Sequence, residues 1–198
     1  MPSADDIQQF LSAAFRLMIG RKDAIRQFDL SADGFWNSFF AIVVALPALA
    51  VIWVTAANDL SQLPEMTASR LSLFLRLAVA DLGAWVLPIG GMALAARPIG
   101  IADRFVHYVV ASNWGTAVIA WLMLPASLLN MLAPAAWREI ASAVSLGFFA
   151  LSLVLGWRLT NGALGKGPAL ASAVFVGMFA ASLVVVLLFQ YLLGVPTL

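Results

Sequence analysis

The chain has 198 residues, a net charge of +1, no cysteine and a single histidine, His107. These counts exclude disulfides, cysteine metal sites and multi-histidine metal sites, and so small a net charge gives no basic field that would recruit nucleic acid. Hydrophobic residues make up 63% of the chain and charged residues only 11%, against roughly 25% charged in ordinary soluble domains. We therefore expect an all-α, multi-pass membrane protein whose main partner is the lipid bilayer.

Residues 1–33 are predicted to form a cytoplasmic leader made of an amphipathic helix and a polar connector. Apolar side chains recur three and four positions apart between residues 7 and 18, which is the spacing of one helix face. Ser3 and Asp6 have the spacing of a capping box. Because this helix is too polar to cross a bilayer, we expect it to lie in the membrane interface with its apolar face toward lipid. Packing on another protein domain is the alternative, and the charged residues of the segment argue against a cleaved signal peptide.

Five apolar segments follow and are predicted to form one transmembrane domain over residues 34–198. The predicted spans are residues 34–57, 71–96, 105–132, 140–157 and 169–193. The second span is the weakest, because a central Asp costs about 2.5–3.5 kcal/mol of insertion free energy and this span contains both Arg76 and Asp81.

The positions of the basic residues predict the orientation of the spans. If the N-terminus is inside, only Arg70, Arg76 and Arg138 lie on the outer side, and every other Lys and Arg is cytoplasmic. Because cytoplasmic loops carry an excess of basic residues, we expect a cytoplasmic N-terminus and an external C-terminus.

Asp81 is the sharpest candidate for a functional residue. A carboxylate inside a membrane span is a candidate proton or cation site. Asp81 lies about one turn below the outer edge of its span, and at this shallow depth an ion pair that orients two helices is the favoured interpretation. Arg76 is on the same helix but roughly 140° around it, so we expect Arg138, at the same side of the membrane, to be the partner.

Two further features of the spans are candidates for a role. Pro88, Gly90 and Gly91 form a candidate hinge, since broken helices line transporter sites, although these residue types are common in ordinary membrane helices. The fifth span carries small residues four positions apart, which permit close helix packing within the chain or between two copies in a homodimer. These residues are Ala173, Gly177 and Ala181.

The stretch from His107 to Pro125, HYVVASNWGTAVIAWLMLP, is similar to the third-helix entry of the Yip-type (Ypt-interacting protein) membrane family. Five closely spaced helices with a cytoplasmic leader resemble the same family in layout. The resemblance implies a five-helix membrane fold, and members with a longer cytosolic N-terminal region bind small GTPases and act in vesicle traffic. With only residues 1–33 before the first span, this chain is more similar to small bacterial inner-membrane relatives, which implies that location. The resemblance carries no functional residue over to this chain.

Two functions are consistent with these features. The preferred one is a non-enzymatic membrane protein that acts through helix packing or membrane association, as an accessory or scaffold subunit, with a homodimer or another membrane protein as the partner. The alternative is a small transporter or channel subunit in which Asp81 and a helix break over residues 88–91 line a path. We expect no enzyme and no cofactor, because we find no paired acids, histidine cluster or Ser/His dyad at matching depth.

Overall fold

The computed structural model describes residues 1–64 and 66–196, and this part of the chain contains helices and no strands. Its α-helices are α1 (Ala4–Met18), α2 (Ala32–Asn37), α3 (Phe40–Leu60), α4 (Arg70–Ala95), α5 (Phe105–Leu132), α6 (Arg138–Leu164) and α7 (Pro168–Leu193). Residue 65, between the first two predicted spans, and residues 197–198, at the end of the predicted transmembrane domain, lie outside the described residues.

Within the described residues, five helices are long and apolar enough to cross a membrane, as predicted. They are Ala32–Leu60 (α2 and α3 together), Arg70–Ala95, Ala102–Leu132, Arg138–Leu164 and Pro168–Leu193. The predicted number of long apolar helices is therefore confirmed, and α5 has the bounds that the sequence predicted for the third span. Large apolar side chains on these helices are left exposed, including Leu94 at 85% and Leu146 at 68%, which is typical of a surface that faces lipid.

The fourth span is longer than predicted. The prediction ended it at residue 157, because the charged Arg158 follows, whereas α6 continues to Leu164 and ends at Gly165, whose φ of 61° is left-handed. The Nη2 of Arg158 donates a 3.2 Å hydrogen bond to the carbonyl oxygen of Ile19. Arg158 therefore stays inside α6 and satisfies one of the carbonyl groups that the end of α1 leaves unpaired.

The leader helix α1 packs on α5 and α6, and its last residue, Met18, reaches the cavity between the long helices. It begins with the predicted capping box, in which the Asp6 amide donates to Ser3 Oγ at 3.2 Å and the Ser3 amide donates to Asp6 Oδ2 at 2.8 Å. Its apolar face is buried in a core shared with α3, α5 and α6, so this face contacts protein and not lipid, contrary to the expectation from the sequence. The fully buried residues of this face are Ala13, Ala14, Leu17 and Met18.

The five long helices are arranged in a ring. In ring order, α3 packs on α5, α5 on α6, α6 on α7, α7 on α4, and α4 on α3. Each helix therefore has two neighbours and turns one face toward the centre of the ring.

Candidate functional site: a polar cavity inside the helix ring

A cavity of about 380 Å³ lies inside the ring, and residues from all five long helices line it. On α4, α6 and α7 the lining residues recur three and four positions apart, as α7 illustrates with Phe175, Met178, Phe179 and Ser182. This spacing means that one face of the helix lines the cavity. The volume is at the low end of the roughly 300–1,000 Å³ of small-molecule sites.

Asp81 lies in the wall of this cavity, on α4. The Nε1 of Trp53, on α3, donates a 2.7 Å hydrogen bond to Asp81 Oδ2, and Trp53 is itself buried. Within the described residues we find no ion pair to Asp81 and no hydrogen bond to its Oδ1. One carboxylate oxygen is therefore fixed by the indole, and the other is free to accept a hydrogen bond or a positive charge.

The two arginines predicted to lie near Asp81 do not pair with it. The Nη1 of Arg76 donates to the carbonyl oxygen of Leu193 at 2.7 Å, so Arg76 caps the C-terminus of α7. Arg138 is exposed at the start of α6, and no ion pair joins it to Asp81 among the residues that the structure describes. The predicted Asp81–Arg138 pair is therefore wrong, and Trp53 holds the carboxylate instead.

Hydroxyl groups of three further lining residues have no hydrogen-bond partner among the described residues. Tyr108 and Thr116 lie on α5 and Thr160 lies on α6, and both Tyr108 and Thr160 are buried. By contrast, the hydroxyl of Ser182, on α7, donates to the carbonyl oxygen of Ala84 on α4 at 3.1 Å. These three hydroxyls and Asp81 Oδ1 are therefore left to bond to a polar ligand or to water in the cavity.

A buried hydrogen-bond chain fixes the wall of the cavity next to these groups. The Nε1 of Trp85 donates to Asn113 Oδ1 at 2.9 Å, and Asn113 Nδ2 donates to Ser38 Oγ at 2.8 Å. Asn113 is 0% exposed, and Ser38 lies at the bend between α2 and α3, where its own hydroxyl donates to the Phe35 carbonyl oxygen at 2.7 Å. The chain therefore joins α4, α5 and the α2–α3 bend and holds the Trp85 ring in one orientation.

Aromatic side chains form much of the remaining wall. They are Trp85, Tyr108, Phe175 and Phe179. A Cβ placed on Gly156 of α6 would lie 3.1 Å from the Phe175 ring, which is tighter than ordinary van der Waals contact. Gly156 therefore gives Phe175 room to lie close to the α6 backbone.

Trp53, Asn113 and Thr160 are parts of the site that no sequence pattern predicts. Asn113 carried a signal, since it is an amide in the middle of a charge-free segment, where polar groups are costly and need partners. Trp53 carried no such signal, because a Trp near the end of a predicted span is typical of the membrane–water interface and its sequence neighbours do not point to Asp81.

The predicted hinge is not a break. Helix α4 continues without interruption through Pro88 to Ala95, Gly90 and Gly91 are exposed, and a Cβ on either glycine would meet open space. Pro88 and Gly91 line a groove between α4 and α7 and are not part of the wall of the central cavity.

The small residues of the fifth span, Ala173, Gly177 and Ala181, line the same groove, whose volume is about 330 Å³. Gly177 is exposed, and a Cβ on it would have no neighbour within 4 Å. The described part of the chain therefore does not use Gly177 for close packing, and packing between two copies stays a prediction.

Comparisons with protein-family models, with curated proteins and with solved structures find no match for this chain. The resemblance to the Yip-type family stays a prediction from the layout of the helices and the stretch from His107 to Pro125.

Proposed function

We propose that this chain is a multi-pass membrane protein of the transporter or channel-subunit type, whose ring of five helices binds a small solute in its central cavity. The observation that carries the proposal is that one cavity, lined by every span, has in its wall Asp81, Tyr108, Thr116 and Thr160, whose Oδ1 and hydroxyl groups have no partners in the described chain. A bundle that only packs against lipid or a partner would gain stability by filling its centre with apolar side chains.

The location and orientation of the protein are part of this proposal. Exposed apolar side chains around the ring support embedding in a bilayer, and Phe15 and Ile19, exposed on the outer face of α1, support contact of the leader with the membrane interface. The distribution of basic residues supports a cytoplasmic N-terminus and an external C-terminus, and the Yip-like layout supports the bacterial inner membrane.

The groove between α4 and α7 favours a second function, as an accessory or scaffold subunit. A groove edged by Gly177 and other small residues suits close approach of another helix. A second copy and a different membrane protein are both candidates for that helix. The two functions use different surfaces of the molecule, so they can be tested separately.

Cysteine accessibility tests the proposed cavity directly, because the native chain has no cysteine. We expect Thr116→Cys and Thr160→Cys, in intact membranes, to react with a small water-soluble methanethiosulfonate reagent, since both positions line the cavity. Gly147→Cys is the matched control, because Gly147 is exposed on the outer surface of α6 and would face lipid, where the thiol stays protonated and unreactive.

Failure of both cavity cysteines to react would overturn the proposal, provided that the variants are inserted and stable. Disulfide-linked dimers of Gly177→Cys, formed without any reaction at Thr116→Cys and Thr160→Cys, would favour the accessory-subunit function instead.

A further inference from the structure

Resting on the proposed function, we infer that the ligand of the central cavity is a small organic cation, an ammonium group on a compact apolar body, with its positive charge at Asp81. This inference names the class of solute, which the proposed function leaves open.

The charge of the cavity favours a cation as its ligand. Among the described residues that line the cavity, Asp81 alone carries a charge. The nearest basic residue on the same helix, Arg76, is already bound to the carbonyl oxygen of Leu193. A carboxylate in a low-dielectric site without a compensating charge is costly, and a cationic ligand removes this cost, whereas an anionic ligand would add to it.

The two oxygens of the Asp81 carboxylate differ in their contacts. Trp53 occupies Oδ2 from the side of α3 and fixes the plane of the Asp81 side chain. Oδ1 has no partner in the described chain and is left to attract the positive charge of an ammonium group. This attraction between opposite charges needs no N–H group on the cation, so a quaternary ammonium can make it.

The other residues of the cavity wall favour an organic cation over a metal ion. Trp85, Tyr108, Phe175 and Phe179 supply aromatic rings, and ring faces attract organic ammonium groups. A divalent metal ion prefers several carboxylate or carbonyl oxygens, and the described residues contain no group of three acidic, histidine or cysteine side chains that could hold one. The apolar wall suits the carbon body of an organic cation better than a strongly hydrated inorganic ion.

Choline and its uncharged carbon isostere, 3,3-dimethyl-1-butanol, form a probe pair that differs in charge and hardly in shape. We expect purified full-length protein in nanodiscs to bind choline at least tenfold more tightly than the isostere, by titration calorimetry. Asp81→Asn should remove this preference by weakening choline binding at least tenfold while leaving the isostere unchanged. Asp59→Asn, which changes an exposed carboxylate on α3, should keep the wild-type preference.

The outcomes separate the inference from the proposed function. Equal binding of choline and the isostere by the wild type overturns the cation inference and leaves the solute cavity in place. Binding of sodium or potassium without binding of choline also overturns the inference. If neither probe binds, the inference fails, and the reactivity of Thr116→Cys and Thr160→Cys then decides whether the proposed function fails as well.

A second variant, in the aromatic wall, tests the inference if Asp81→Asn does not fold. Phe175→Leu keeps an apolar side chain of similar volume and removes an aromatic face from the cavity wall. We expect it to weaken binding of choline more than binding of the isostere. An equal effect on the two probes would show that the ring acts by shape alone, and would contradict the assigned role of the aromatic wall.

Discussion

Trp53 and Asp81 are joined by a 2.7 Å hydrogen bond from the indole nitrogen to the carboxylate, although 28 positions separate them in the chain. The bond connects α3 to α4 beside the central cavity. It also explains how α4, the weakest of the five predicted spans, keeps a carboxylate among apolar helices, since a donor from a neighbouring helix satisfies one of its oxygens.

Replacing Trp53 with Phe should destabilise the protein. The variant removes the donor and leaves Asp81 Oδ2 without a partner, and a hydrogen bond to a charged group is worth about 1.5–3 kcal/mol. Asp81→Asn should cost less than Trp53→Phe, because an amide oxygen can still accept from the indole. Unfolding in mixed detergent micelles, followed by circular dichroism, measures both.

Trp36→Phe is the control for this prediction. Trp36 is 71% exposed, and no hydrogen bond from its indole is found in the described chain, so its replacement should leave stability nearly unchanged. Equal losses for Trp53→Phe and Trp36→Phe would contradict the role given to the Trp53–Asp81 bond.

The sequence predicted the bounds of most of the long helices well, but it did not predict which helices pack against each other. Hydropathy is a local property, so the bounds of α5 could be predicted from residues 105–132 alone. The ring order places α4 against α7, and which helices meet depends on packing over the whole chain. Asp81 could therefore be identified as a candidate, whereas its partner Trp53 could not.

The departure at Arg158 and the continuity of the candidate hinge have the same physical origin. The sequence predicts the end of a span before Arg158 because an unpaired charge is costly in lipid, but a carbonyl group of Ile19, 139 positions away, accepts its hydrogen bond. Pro88 and Gly91 are a candidate hinge, although such residues are common in ordinary membrane helices. Helix α4 stays continuous there, because its packing against α3 and α7 outweighs the low helix propensity of these residues.

Asn113→Ala should cost more stability than any other polar-to-alanine change in the described part of the helix ring. The indole of the half-buried Trp85 would lose its acceptor, which costs about 1–3 kcal/mol, and the missing amide of the fully buried Asn113 would leave a cavity. Ser38→Ala should cost less, because Asn113 can still accept from Trp85. The half-buried Asn58, whose side chain makes no hydrogen bond in the described chain, provides the control Asn58→Ala.

The measurement is again unfolding in detergent, with intrinsic fluorescence added because Trp85 would become free to reorient. A loss for Asn113→Ala no larger than that for Asn58→Ala would mean that the buried chain from Trp85 to Ser38 does not stabilise the ring.

Gly34→Ala and Gly177→Ala should have opposite effects on stability. Gly34 is buried near the start of α2, and an added methyl would overlap the backbone carbonyl of Asp29, which cannot rotate away as a side chain can. We expect a loss of about 1–3 kcal/mol or more from this overpacking. At Gly177 the methyl would meet open space, so the better helix propensity of Ala should add up to about 1 kcal/mol.

The two glycine variants are best compared by unfolding at low protein concentration, where contacts between copies are rare. A loss at Gly177→Ala that appears only at high concentration would indicate that this face packs against a second copy. Destabilisation of both variants to the same extent at low concentration would contradict the difference in space around the two glycines.

The first turn of α1 should be sensitive to acid. The hydroxyl and amide of Ser3 both donate to the Asp6 carboxylate and hold the pKa of Asp6 below its usual value of 3.8. A carboxyl whose pKa is lower in the folded chain stabilises the fold above its unfolded pKa and loses this effect as the pH falls through the folded pKa. Amide protection of residues 4–7 should therefore be constant near neutral pH and fall only below pH 3.8; in Ser3→Ala it should be low at every pH.

Arg76→Met should loosen the C-terminal end of α7 while leaving the rest of the ring intact. Arg76 Nη1 donates to the carbonyl oxygen of Leu193 at 2.7 Å, and helix ends have carbonyl groups without partners inside the helix. Loss of this cap should raise amide exchange over residues 190–195 and lower stability by about 1–3 kcal/mol. Arg138→Met removes an exposed arginine at the start of α6 and should change stability by no more than about 0.5 kcal/mol. If exchange over residues 190–195 rose equally in the two variants, the capping role of Arg76 would be wrong, because of the two arginines only Arg76 is hydrogen-bonded to that end of α7 in the described chain.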